Sequence, residues 1–465
     1  MIQAIKPLEI RGCLFGLLLI TLLSSCANKE IKPDLARLYQ MSTKNITQPS
    51  PVILIHGIMG SKLRDRNSLQ ELWFGNISKL LFSNYSSIGL SIDPETLEPV
   101  ETVLEPFGIA DKAGGIDFYQ AIINTLQAYG AYELTNIGTK VTDNKRHLYL
   151  FTYDWRQDNV KSARKLQQFV EQIKSDYNRP DLKVDLVAHS MGGLVSRYYL
   201  RYGDVDVLGN NDLKINLKGA KNVRKVVLLG TPNLGSVGSV ESFITGLKIG
   251  LRKIPTEVLV TMPSAYQLFP HSIHDWLLDI NGEQLERDVF DVKIWESFQW
   301  SIFDPKVQRR IIARFDDEKT GIAYLETLKQ YFHKHLERAR RFVWSLTVPV
   351  PDVPYEIIVM GGDCHFTPAR ILVEEVNGES ITRLNPGQIK NPLSHVNYNA
   401  LMLEPGDGTV TKASLLARDS LDPTVPQHKY SFFPLDYAYF LCEEHRTLTS
   451  NVNFEDNLLN ILLSN

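Results

Sequence analysis

Short apolar runs rich in β-branched residues recur along the chain, and several of them close on glycine. Pro51-Val52-Ile53-Leu54-Ile55-His56-Gly57 is the first, and residues 147–154, 183–188, 223–230, 355–362 and 430–434 repeat its look. A strand covered on both faces needs apolar residues at consecutive positions and not merely at alternate ones. Each run therefore predicts a buried strand of a parallel sheet. Between several of them, residues 160–176 and 191–202 space their apolar positions as a helix does. Strands alternating with helices predict an α/β fold, a mostly parallel doubly wound sheet with its site at the carboxyl ends of the strands.

Two stretches fall outside that alternation. Residues 61–107 contain Leu72-Trp73-Phe74 and Leu80-Leu81-Phe82, and residues 240–346 are mainly helical in pattern. Each reads as a cap inserted over the face that carries the site. The second holds Lys248, Arg252 and Lys253 beside Leu251 and Ile254, and further on Trp295, Phe298 and Trp300. These aromatics either close the cap's own small core, or line an apolar channel or touch a membrane. Near residues 371–382, alternation around Asn377-Gly378 predicts a β-hairpin with a tight turn.

The N-terminus is of a different kind. Lys6 and Arg11 precede an apolar run over residues 13–23, too short to span a bilayer but suited to the core of an export signal. The run ends in Leu23-Ser24-Ser25-Cys26, which resembles the lipobox of bacterial lipoproteins, where small residues let a peptidase cleave before a diacylated cysteine. The expectation is a signal peptide over 1–25, Cys26 as the acylated N-terminus, a polar tether over 26–50 and one folded domain over 51–465. Acyl chains contribute about 0.8 kcal/mol per buried methylene, so two or three of them hold a protein on a membrane. The same resemblance to lipoproteins implies, from Ala27 in place of Asp, the outer membrane where the cell has one, or otherwise the cell envelope, as the expected location.

Composition narrows the partners. Hydrophobic residues make up 43% and charged residues 22% of the 465-residue chain, values that exclude wholesale disorder and a polytopic membrane protein. A formal net charge of −3 supplies no basic footprint for nucleic acid. Apart from Cys13 in the signal and Cys26, two cysteines remain, Cys364 and Cys442. In an oxidising compartment they either pair or stay as buried thiols. No cluster of cysteines and histidines has the spacing of a zinc site, and neither a metal nor a cofactor is expected.

The chemistry concentrates at Ala188-His189-Ser190-Met191-Gly192-Gly193, directly after one predicted strand and opening a predicted helix. A sharp strand-to-helix turn exposes the serine hydroxyl, and small residues two places before and after it let the chains pass. Ser190 is the expected nucleophile, with a buried turn serine as the bland alternative. A serine hydroxyl is a poor nucleophile at neutral pH, so a histidine must take its proton and an acid must orient that histidine. In this arrangement the chain order is serine, acid, histidine. Asp407, on the turn Gly406-Asp407-Gly408-Thr409-Val410, is the expected acid, with Asp363 and Asp436 as fallbacks. His445, in Glu443-Glu444-His445-Arg446, is the expected base, and His428 and His395 fit the order less well. An acyl-transfer site also needs two backbone N–H groups aimed at the oxyanion; Met191 and Ile58, in His56-Gly57-Ile58-Met59-Gly60-Ser61, are the expected donors. His56 itself reads as a structural residue of that loop.

With these residues placed, the chain resembles the lecithin:cholesterol acyltransferase family of α/β-hydrolases, which includes phospholipid:diacylglycerol acyltransferases and lysosomal phospholipase A. The resemblance rests on residues 51–61, Tyr153-Asp154-Trp155-Arg156, the elbow, Gly230-Thr231-Pro232, Phe366-Thr367-Pro368, the Gly-Asp-Gly-Thr-Val turn and the final histidine, in order over roughly residues 50–450. The elbow is common to many esterases, whereas Tyr-Asp-Trp-Arg is considerably more specific. His56 stands before the first-loop glycine where the animal enzymes have proline, a departure shared with many ordinary lipases, so the resemblance does not fix the acyl acceptor. Asp154 and Arg156 are expected to form a structural pair beneath the site. The resemblance implies an α/β-hydrolase fold with cap insertions and a serine-dependent acyltransferase, lipase or phospholipase A acting on phospholipid or another acyl lipid. The sequence leaves three matters open: water or a lipid alcohol as acyl acceptor, the lipid class, and the oligomeric state. Two other readings stand beside it, a non-catalytic lipid-binding surface lipoprotein and a thioesterase or other esterase on the same scaffold.

Overall fold

The computed structural model describes residues 32–42, 49–74, 83, 85–100, 103–110, 112–113, 116–209, 213–350, 352–431 and 433–464. The expected signal peptide, Cys26 and the Leu80-Leu81-Phe82 run lie outside them. At the centre is a seven-stranded sheet built of β1 (Val52–Ile55), β2 (Tyr132–Leu134), β3 (Arg146–Phe151), β4 (Val184–His189), β5 (Val223–Leu229), β6 (Glu356–Gly362) and β7 (Tyr437–Leu441), in the spatial order β7-β6-β5-β4-β1-β3-β2. Every pairing is parallel, with Val52 set against Leu148 on one side and Asp185 on the other.

The side chains of β1 show how the sheet is held. Alternate residues of a strand point to opposite faces, so Ile53 and Ile55 enter one core while Val52 and Leu54 enter another, all fully buried. The first core includes Val160, Leu166 and Val170 of α1 (Asn159–Asp176) and Leu194 and Val195 of α2 (Met191–Tyr202). The second includes Phe454, Leu458 and Leu459 of α4 (Val452–Leu463). Both faces are covered, which is why the interior strands carry uninterrupted apolar runs.

The expectations fail at the sheet's edges. The run at residues 430–434 is not a strand: Lys429–Ser431 forms a 3₁₀ turn, and the pairing segment is β7. Tyr437 and Ala438 of β7 are exposed, as an edge strand permits, and Pro434 removes a donor that a strand would need. β2, with Glu133 and Leu134 exposed, was not expected at all.

Part of the expected tether is docked. Leu35–Leu38 forms a short helix with Leu35 buried, and Tyr39 Oη donates 2.6 Å to the carbonyl oxygen of Asp456 on α4. Leu35 and Tyr39 stand four apart, so one turn of helix puts both on the body of the protein.

The first inserted segment is built on strands: Ser61–Asp65 lies between Glu71–Trp73 and Leu104–Ile109, antiparallel to both. The second runs from a helix at Val237–Thr245 to the long helix α3 (Glu318–Ser345). Its aromatics do not close a separate small core but extend the first core of the sheet: Trp295 and Trp300 are buried in the same cluster as Ile53 and Ile55, and the Trp295 ring packs on Phe269 and Phe332 at 5.4 and 5.2 Å. This insertion is fastened to the body through α3, where Arg338 Nε donates 2.5 Å to the buried Asp158. The hairpin Ile371–Val376 and Glu379–Arg383 turns at Asn377 and Gly378, with φ of 55° and 80°. No helix among the described residues is long and apolar enough to cross a membrane.

Candidate active site

Ser190 follows the last residue of β4 and precedes the first residue of α2, with φ 54° and ψ −126°. This conformation is costly for a residue with a side chain, of order 1–3 kcal/mol. The surroundings fix it: the Ser190 N–H donates 2.7 Å to the Leu229 carbonyl, and glycines on two sides admit the turn. A Cβ at Gly192 would lie 2.8 Å from the Ile55 carbonyl oxygen, and one at Gly57 would lie 2.7 Å from Ser190 Cβ. The turn therefore exists because β1 and its loop can approach the serine without side chains in between. Gly57→Ala is expected to push the loop or Ser190 aside, lowering kcat/KM for an ester by on the order of 100-fold. The melting temperature should fall with it, through an overpacking cost of roughly 1–3 kcal/mol. Steady-state kinetics with a soluble ester, together with a thermal melt, checks both.

The other two expected residues meet the serine from distant parts of the chain. His445 Nε2 stands 3.0 Å from Ser190 Oγ, and His445 Nδ1 stands 2.7 Å from Asp407 Oδ2. A carboxylate can only accept, so Nδ1 carries the proton and Nε2 is left to accept the serine hydroxyl. Asp407 follows the strand Leu403–Gly406, and its other oxygen accepts the N–H groups of Val410 at 2.7 Å and Thr409 at 3.0 Å. The backbone is tied as well, since the His445 N–H donates 2.9 Å to the Asp407 carbonyl. Burial alone would raise the Asp407 carboxyl, but the adjacent His445 and the two backbone donors outweigh it and hold the group below its ordinary value. All three side chains are largely buried, with Ser190 and His445 each 8% exposed. The cluster can pass a proton from a hydroxyl to an imidazole with the resulting charge compensated, which is what nucleophilic attack on a carbonyl requires.

The fallback residues are engaged elsewhere. Asp363 pairs with Lys412 at 2.8 Å, and Asp436 accepts the Ile357 N–H at 2.7 Å at the start of β6. His428 and His395 are exposed. His56 is fully buried and stacked on Tyr153, with Nδ1 2.7 Å from the Gly57 carbonyl; burial lowers it to about 4. It is a neutral part of the loop. Asp154 and Arg156 form a buried two-pronged pair at 2.8 and 2.7 Å. Met191 is the first residue of α2, where backbone N–H groups have no acceptor within the helix. Ile58 lies between Gly57 and Met59 in a turn closed by Gly60 N–H to the Gly57 carbonyl at 3.1 Å.

Two residues that the sequence reading gave no role stand directly behind this cluster. Tyr119 Oη is 2.9 Å from His189 Nδ1 and accepts the Gly57 N–H at 2.9 Å, and His189 Nε2 is 3.1 Å from the His445 carbonyl. No local pattern announces Tyr119, because its bonds span 62 and 70 residues.

Cys364 and Cys442 form a disulfide that joins the segments leaving β6 and β7. Cys442 is three residues before His445, so the bridge anchors the loop that presents the imidazole. Closing a long loop stabilises by roughly 2–5 kcal/mol. Reductant is therefore expected to lower both the melting temperature and ester cleavage of the native chain. A Cys364→Ser, Cys442→Ser double variant should start from the lower values and show no response to reductant.

On the second insertion, Leu247–Ile249 and Arg252–Ile254 form a small hairpin. Leu251 at its tip is 85% exposed, and Lys248 stands directly opposite Lys253. Like charges in a cross-strand pair are unfavourable, and here the repulsion is offset in part because Lys253 Nζ donates 3.1 Å to the Thr245 carbonyl and lies in the field of Glu241.

Residues 131–415 match the sequence profile of the family described as Lecithin:cholesterol acyltransferase. No curated protein sequence matches the chain. Among solved structures, that of the Tle4-Tli4 complex aligns with 90% of this chain and 98% of that one at a TM-score of 0.53 and 15% identity. Lipase 1 from Pelosinus fermentans aligns with 90% of this chain and 100% of that one at 0.36 and 12%. EstA from Clostridium botulinum aligns over 91% and 90% at 0.34 and 13%. At these identities the likeness to the first is one of fold.

Proposed function

The chain belongs to the lecithin:cholesterol acyltransferase family, and from that premise we propose that it cleaves the acyl ester of a glycerolipid through a covalent intermediate on Ser190. The observation that carries this reading is the hydrogen-bonded row Ser190–His445–Asp407, at 3.0 and 2.7 Å. Ser190 Oγ attacks the ester carbonyl carbon while its proton passes to His445 Nε2. Asp407 compensates the imidazolium. The negative oxygen of the tetrahedral intermediate takes hydrogen bonds from the N–H groups of Met191 and Ile58, each worth roughly 3 kcal/mol of barrier. The carbon–oxygen bond to the leaving alcohol then breaks, and His445 returns the proton to it. Water or a lipid hydroxyl next attacks the acyl-serine by the same route in reverse, giving a fatty acid or a new ester.

The exposed hairpin supports a lipid surface as the place where substrate is met. Leu251 offers an apolar tip and Lys248, Arg252 and Lys253 offer positive charge, a combination suited to the interface of an anionic bilayer. Anchoring through Cys26 to the cell envelope would keep the chain at such a surface, and it belongs to the same proposal. Each surface cation contributes about 1 kcal/mol to such an encounter. Lys248→Glu with Lys253→Glu is accordingly expected to slow cleavage of phospholipid in anionic vesicles by about 10-fold or more while sparing a soluble short-chain ester. Equal rates on vesicles for variant and wild type would remove the hairpin from the account.

Purified protein incubated with acyl-labelled phospholipid, with and without a lipid alcohol, tests the reaction itself. Label in free fatty acid marks hydrolysis, and label in a new ester marks acyl transfer. Intact phospholipid in both arms would favour the non-catalytic lipid-binding alternative.

A further inference from the structure

We propose that Tyr119 and His189 are positioning residues that lock the loop after β1 to the backbone of His445, so that the oxyanion donors and the general base are held in one register. The inference rests on the reading of Ser190 as an acyl-accepting nucleophile and adds a device that reading does not contain.

Tyr119 stands immediately before the helix Gln120–Ala128, far in sequence from every motif of the site, and is buried. Its hydroxyl oxygen accepts the Gly57 N–H at 2.9 Å. A phenol has a single proton, and that proton is left for His189 Nδ1, also at 2.9 Å. With Nδ1 accepting, neutral His189 carries its hydrogen on Nε2, which faces the His445 carbonyl oxygen at 3.1 Å. A carbonyl can only accept. All four groups are thus satisfied by a single tautomer, and the chain runs one way, from Gly57 N–H through Tyr119 and His189 to the His445 carbonyl.

The two ends of that chain decide what it does. Gly57 adjoins Ile58 and packs against Ser190 Cβ. His445 receives the serine proton, and its ring lies 4.9 Å from that of His189, centroid to centroid. The loops that carry them come from opposite ends of the sequence and have to converge to within a fraction of an ångström. Backbone hydrogen bonds to both loops from one rigid pair of rings supply that convergence. Burial, with His445 nearby, lowers His189 to about 3, so its polarity does not reverse at neutral pH. Burial likewise keeps the Tyr119 phenol protonated by raising it well above its ordinary range.

Tyr119→Phe is the direct test, since it removes one oxygen and keeps the ring. With a soluble ester, kcat is expected to fall on the order of 10- to 100-fold with KM within twofold, because the substrate's own contacts are unchanged. His189→Gln retains both a donor and an acceptor and should recover part of the activity lost in His189→Leu. The Tyr119→Phe, His189→Leu double variant should be little worse than the worse single one, as expected of links in one chain. A Tyr119→Phe enzyme with wild-type kcat, or fully additive effects in the double variant, would overturn the proposal. If Tyr119→Phe melts more than about 10 °C below wild type, the His189→Gln against His189→Leu comparison decides; equal losses there would overturn it too. A wild-type chain that neither cleaves esters nor takes a fluorophosphonate on Ser190 would instead defeat the functional reading, and this proposal with it.

Discussion

Ser190→Ala is expected to abolish ester cleavage, lowering kcat by roughly 10⁵- to 10⁶-fold while leaving the protein folded. The loss is large because the serine hydroxyl is the group that His445 Nε2 holds, with Ser190 Oγ at 3.0 Å. The fold survives because alanine matches the serine at Cβ, the atom that packs against Gly57, and inherits the same positive φ. Removing one hydrogen bond costs about 1 kcal/mol, a small shift for a chain of this size. A residual rate well above the uncatalysed one is expected, since oxyanion donors and binding survive the substitution. Progress curves on a soluble ester, beside a thermal melt showing a comparable transition, check both halves. A merely tenfold fall would mean that another group attacks the ester.

Asp407→Asn is expected to lower kcat by roughly 10⁴-fold with little change in KM. The amide occupies the same space, but its NH₂ can donate to His445 Nδ1, leaving Nε2 protonated and unable to take the serine proton. The substitution also changes the pH response of stability. The Asp407 carboxyl is held below its ordinary value in the folded state, since His445 and the Val410 and Thr409 N–H groups outweigh burial. A depressed folded value contributes stability above the unfolded value, near pH 4, and the contribution is lost as pH falls through the lower folded value. Wild type should therefore lose more stability than Asp407→Asn on acidification below about pH 4. Melts from pH 7 to pH 3 check this, and parallel losses in the two proteins would contradict it. Asp407 also titrates too low to set any acid limb of activity near neutrality.

The sheet's interior was legible and its edges were not, for one reason. β1, β3, β4, β5 and β6 have neighbours on both sides and layers on both faces, so each carries a consecutive apolar run, such as Leu148–Phe151, Leu186–Ala188, Val226–Leu229 and Ile357–Met360, with its charged residues near the strand ends. β2 and β7 lie at the two edges, with exposed residues that break the run. The apolar residues near 430 mimic the missing signal, and the true edge strand begins a few residues later. The docked helix at Leu35–Leu38 escaped notice because a single turn offers only two apolar positions to recognise.

At the site, legibility followed local backbone demands. Ser190 sits on a turn that requires small neighbours, and Asp407 sits between two glycines, so both leave a mark in the sequence. His445 was found by chain order alone. Tyr119 left none, because a side chain that reaches across the fold to one hydroxyl's worth of partners needs no special neighbours of its own. The charged hairpin at Leu247–Ile254 was visible as composition, but only its geometry sets Lys248 against Lys253 with Leu251 at the tip.

The proposed reaction requires Ser190 to take the acyl group. The most direct measurement is peptide mass spectrometry of folded wild-type protein treated with a fluorophosphonate, beside the same treatment of Asp407→Asn and of heat-unfolded protein. The predicted result is stoichiometric modification of Ser190 in native wild type, slowed by orders of magnitude in Asp407→Asn and absent after unfolding. An unmodified Ser190 in native protein, or modification as fast in the unfolded chain, would contradict the account.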